Sequence, residues 1–139
     1  MSPRQIQLVQ ATFHSLRPIG DQAAALFYVR LFEFAPWLRP LCHGEMNRQR
    51  RQLIELLGQV VLRLDENDPG LARALDDATC AGLARLDARD YAAMETTLLW
   101  TLRQVLGPAF SPPVEEAWAT FYRRLAGEVR RTGSGGQAA

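Results

Sequence analysis

Residues 26–53 read LFYVRLFEFAPWLRPLCHGEMNRQRRQL, and the order of apolar positions and breaks within them decides the fold. Leu26, Phe27, Val29, Leu31, Phe32 and Phe34 are apolar almost all round a helical wheel, which predicts a buried helix. Ala35-Pro36 ends it, because a residue preceding proline is pushed out of the α region. Pro36 and Pro40 then bracket Trp37-Leu38, a spacing too short for an ordinary helix and suited to a tight corner. After a short connector the pattern predicts a second long helix over about residues 46–65. Leu53, Leu56, Leu57, Val60, Val61 and Leu64 share one of its faces, with Arg48, Arg51, Glu55 and Arg63 largely off it.

Before this stretch, Ser2-Pro3-Arg4-Gln5 supplies an N-cap serine, a proline at the first helical position and a capping-box glutamine. Ile6, Val9, Phe13 and Leu16 follow at helical spacing, so a first helix is expected over about residues 3–16. Pro18-Ile19-Gly20 breaks it, and Asp21 is placed to cap the apolar helix. Beyond the stretch, Asp65 to Gly70 forms a breaker, followed by a weaker helix over about 70–83 with Leu71, Leu75 and Ala78 on one side. Asp87 caps a helix over about 88–106, which Gly107-Pro108 terminates. Ser111 and Pro112 start the last helix, whose expected stripe is Val114, Trp118, Phe121, Leu125 and Val129. Residues 1–131 are therefore expected to form one all-α domain of six to seven helices, with 132–139, TGSGGQAA, a flexible tail.

Composition narrows the function classes. A chain of 139 residues, 47% hydrophobic, is enough for one proper core. A net charge of +1 gives no electrostatic case for nucleic acid or an anionic membrane surface. All 16 basic residues are arginine, which removes Schiff-base and phosphate-loop lysine mechanisms. Cys42 and Cys80 lie far apart behind no signal peptide, and read as free thiols in a reducing cytoplasm. No apolar run approaches the length of a membrane span.

Helical pattern alone does not separate an up-down bundle from helices crossing at about 50°. The order FYxRLFxxxPxLRPL…GxMxxQxxxL does. With DYxxxxxxLLWTLxxxLGxAFxPxVxxAWxxxY from Asp90 to Tyr122, it resembles single-domain bacterial globins and the globin modules of flavohaemoglobins and gas sensors. The resemblance runs from about Phe13 to Leu125 and implies a globin fold.

It also implies roles. Globins of this type hold haem iron through a histidine on the helix after the long distal one, and a distal tyrosine and glutamine bond bound oxygen. Tyr28 matches the tyrosine and Gln49 the glutamine, with Leu53 one turn further on. Cys42 stands where the corner phenylalanine is expected, with His43 after it. At the proximal position the alignment lands on Ala81, and residues 78–83 contain no histidine. Tyr28, Cys42, Leu53, Ala81 and Leu98 are expected to line one cavity or a collapsed remnant of it. Tyr28 is open between an ordinary buried aromatic and a retained ligand contact, and Gln49 between a solvated residue and a ligand. Cys80 reads as a structural thiol and alternatively as an iron thiolate; His43 reads as a corner histidine and alternatively as an axial ligand. Arg48, Arg50 and Arg51 suit a solvated face, or haem propionates and an anionic partner.

No Ser-His-Asp set, CxxC, HExxH or phosphate loop is present, and no reductase segment is read in the chain, so a non-enzyme is expected. Two classes remain. One is a sensor or partner-binding globin without conventional haem ligation, holding an apolar small molecule or a protein partner. The other is a haem protein for oxygen or nitric oxide with an unusual axial ligand.

Overall fold

The computed structural model describes residues 1–41, 46–62, 64 and 87–138, the side chains of 41, 46, 47, 49, 56 and 128–138 excepted. The expected helix over 70–83 lies outside them. Among the described residues all regular structure is helical: α1 Pro3–Leu16, α2 Gly20–Phe34, α3 Met46–Leu62, α4 Ala88–Leu106 and α5 Pro112–Ala138. Short 3-10 turns occupy Arg17–Ile19, Pro36–Leu41 and Gly107–Ala109.

Local chemistry sets most of the ends. Ser2 Oγ accepts from the Gln5 amide at 3.1 Å while Gln5 Oε1 accepts from the Ser2 amide at 3.1 Å, a complete capping box. Asp87 and Asp90 repeat the device at the start of α4, at 3.0 and 3.1 Å. Asp21 behaves differently from expectation. The 3-10 turn Arg17–Ile19 runs directly into α2, so no extended cap position arises and Asp21 lies inside the first turn. Its carboxylate instead reaches Arg50 of α3 at 3.5 Å. α3 closes at Leu62, earlier than residue 65, and Leu64 turns back into the core. At the other end α5 is helical through Ala138, past Thr132, where the glycine content predicts a tail.

Two apolar clusters hold the helices. The larger joins Val9, Phe13 and Leu16 of α1 and Val60 and Val61 of α3 to Leu102 of α4 and Ala117, Trp118 and Phe121 of α5. α1 and α3 meet closely at Gly58, where an added Cβ would lie 3.3 Å from Phe13 Cζ. Thr97 and Thr101, buried on α4, return their hydroxyl protons to the carbonyls of Ala93 and Thr97 at 2.8 Å, so neither needs an outside partner.

The second cluster sits under α2: Phe27, Leu31, Ala35, Leu38 and Ala93 are buried, with Tyr28, Phe32, Leu53, Met94 and Leu98 half-buried around them. Leu98 packs against both clusters. The expectation that α2 is buried all round is corrected here: Val29 is 58% and Phe34 51% exposed. α2 packs on α3 and α4 over one arc, which leaves Val29 on the opposite side in water, while Phe34, on the side of Phe27, is exposed at the last residue of the helix.

Candidate functional site

Three of the sequence-derived site residues, Tyr28, Leu53 and Leu98, fall in the second cluster. Ala35 accepts the Leu38 amide at 3.0 Å, folding the turn after Pro36 back so that Leu38 seals the end of the cluster. Along α2 the rings are arranged in series. Phe27 and Tyr28 meet edge to face at 5.4 Å, and Tyr28 and Phe32 lie 5.9 Å apart. Arg39, in the turn, sets its guanidinium 5.7 Å over the Phe32 ring. Leu53 enters from α3, and Met94 and Leu98 from α4.

Of the expected pocket residues, Tyr28, Leu53 and Leu98 are therefore brought together. Gln49 lies on α3 one turn ahead of Leu53, its side chain outside the described residues. Cys42, His43, Cys80 and Ala81 also lie outside them. His14, the remaining histidine, is exposed on α1, a helix that gives nothing to this cluster. Among the described residues no group of three or more His, Cys, Asp or Glu side chains is placed to hold a metal ion. Arg48 and Arg51 face water as expected, whereas Arg50, expected on the same solvated face, is half-buried and pairs with Asp21.

One feature bordering the cluster was not read from the sequence. Asp90, buried at the start of α4, accepts the Trp37 indole proton at 2.6 Å on one oxygen and the Asp87 amide on the other. Arg89 stacks on the same indole at 4.1 Å. This carboxylate ties the turn after α2 to the start of α4. The i, i+3 aspartates were visible in sequence; the indole, 53 residues away, carried no local signal.

Electrostatic shifts are few. The Asp90 amide holds the Asp87 carboxyl below its ordinary range, burial opposing and Arg89 assisting. Burial pushes the Tyr122 phenol upward, and that hydroxyl donates to the Tyr91 carbonyl at 2.8 Å. Trp118 is fully buried, and its indole nitrogen has no partner among the described residues.

Comparison with known proteins adds the class. The chain is 28% identical over 130 residues to a flavohemoprotein of Vibrio cholerae, a match covering 91% of this chain and 33% of that protein. It is 29% identical over 132 residues to a flavohemoprotein of Bordetella parapertussis, covering 91% of this chain and 32% of the relative. The chain thus spans about a third of the length of the curated relatives it matches. No family model matches it. Helix order, the two clusters and these matches define an all-α globin-like domain that resembles the globin domains of flavohaemoglobins. No described helix is long and apolar enough to cross a membrane.

Proposed function

We propose that this chain is a globin-type module without imidazole-ligated haem, which holds an apolar small molecule and signals its occupancy to a protein partner. The observation that carries the reading is the pairing of a globin-type cluster, Tyr28 with Leu53 and Leu98, with a proximal window that lacks histidine. The name of the relatives denotes proteins carrying haem, and their match covers only a part of them. Tested against a porphyrin, the cluster fits in one respect and fails in another. Its aromatic and aliphatic side chains with a single phenol are chemically suited to a flat apolar ligand. Among the described residues it offers no imidazole or thiolate for iron, and the histidines of the chain are His14 and His43. On this reading the chain is a binding module with no turnover of its own, working in the cytoplasm.

A second reading has its own support. Tyr28 and Gln49 match a polar distal pair, which an apolar ligand would not need. On that reading haem is held by His43 or Cys80 and binds oxygen or nitric oxide. The visible spectrum of the purified protein, before and after haemin is added, separates the two. The first reading expects no ferrous five-coordinate imidazole spectrum and only weak haemin retention on gel filtration. Tight haem with a spectrum lost in His43→Ala or Cys80→Ala would establish the second.

A further inference from the structure

We propose that the turn Pro36–Leu41 is a lid on the second cluster, latched shut by the Trp37 indole on Asp90, through whose opening ligand enters and leaves. The lid's role rests on the ligand reading above; the latch itself does not.

The turn is a thin cover with one plug. Of the side chains from Pro36 to Pro40, Leu38 alone is buried, at 3% exposed, and the other four face water. Pro36 and Pro40 have no amide proton, so the turn has few donors with which to hold its surroundings. Its root is fixed, because Ala35 is fully buried and its amide donates to the Leu31 carbonyl at 2.7 Å. The Leu38 amide bonds back to Ala35, and Arg39 lies over Phe32, both contacts on the α2 side. Among the described residues, the hydrogen bond that carries the turn across to α4 is Trp37 to Asp90, at 2.6 Å.

The catch is built independently of the turn. Asp90 accepts the Asp87 amide on one oxygen, and its own amide donates to Asp87, so the capping box fixes the carboxylate while its other oxygen takes the indole. Arg89 adds a second contact from the same helix, 4.1 Å over the indole ring. Trp37 is 39% exposed, so water can take over the indole proton when the latch lets go. α4 also gives Ala93, Met94 and Leu98 to the cluster, so the latch joins the lid to a helix that helps build it.

A latched lid has a kinetic signature. Opening precedes both entry and exit, so weakening the latch raises both rates together and leaves their ratio alone. A residue that only stabilises bound ligand would change the exit rate by itself.

Iron-free protoporphyrin IX, a flat ligand that needs no axial bond, is the probe, and its own emission reports uptake and its loss to excess albumin. Trp37→Phe should speed both by at least about tenfold, the loss of one hydrogen bond to a charged group, with affinity kept within about threefold. Trp100→Phe, on α4 but outside the cluster, should leave both rates as in wild type. Exchange of the Leu38 amide proton reads the latch without ligand. In wild type it should proceed through a local opening with a shallow urea dependence, which Trp37→Phe should speed at least about tenfold. Leu38 exchange that requires global unfolding, or a local opening that Trp37→Phe leaves unchanged, would overturn the latch. Porphyrin rates indifferent to Trp37→Phe, or a change in exit alone, would overturn the lid. No porphyrin uptake by either protein would sink the ligand reading, and the lid's role with it.

Discussion

Gly58 and Gly127 are both glycines inside helices, and space alone separates them. A Cβ at Gly127 meets nothing within 4 Å, so Gly127→Ala should gain about 0.5–1 kcal/mol of helix propensity, read as a higher urea midpoint. The same change at Gly58 brings a Cβ to 3.3 Å from the buried Phe13 ring, and the propensity gain should largely vanish. Gly58→Leu should cost about 1–3 kcal/mol through overpacking. Asp87 tests charge separately from capping. Asn also caps well, so Asp87→Asn mainly removes the negative charge next to the α4 amides. Because the folded Asp87 carboxyl is depressed below 3.8, its contribution is present above that value and lost as pH falls through the folded pKa. Wild type should therefore melt higher than Asp87→Asn at neutral pH, and the two should converge in strong acid.

At the scale of elements, what was legible depended on sequence distance. The Ser2–Gln5 box, the break at Ala35-Pro36 and the end of α4 at Gly107 are set by neighbours within a turn, and the spacing announced them. Exposure of Val29 and Phe34 was not legible, because an all-apolar wheel does not say which arc finds a neighbour. Nor was the contact between Trp37 and Asp90, which needs α2 and α4 already packed. Its strength can be measured. Trp37→Phe leaves a buried carboxylate oxygen without its donor and should destabilise the domain by about 1–3 kcal/mol. A loss under about 0.5 kcal/mol, within the range of an ordinary surface change, would mean that the indole contributes little. The end of α5 makes the opposite case. Gly133, Gly135 and Gly136 each lower helix stability by about 1 kcal/mol, so deleting residues 132–139 should shift the thermal midpoint by less than about 2 °C.

For the whole molecule, sequence and structure agree on an all-α, globin-like frame. The all-α domain follows from caps, breaks and stripes, and Tyr28, Leu53 and Leu98 converge although they come from three helices. That these three positions share a cluster was readable because α2, α3 and α4 carry strong periodicity. The proximal half of the proposed pocket rests on the alignment that puts Ala81 in the place of an iron ligand, and on the absence of histidine from residues 78–83. That placement is the central claim, and restoring the ligand tests it most directly. Alanine to histidine on a helix costs only about 0.7 kcal/mol in propensity, so Ala81→His should fold. Haemin is added to wild type and to Ala81→His, each is reduced, and the ferrous spectrum is read before and after carbon monoxide. The account predicts a five-coordinate imidazole spectrum and reversible carbon monoxide uptake in Ala81→His, and neither in wild type. An ordinary imidazole-ligated spectrum in wild type, unchanged by His43→Ala, would contradict it.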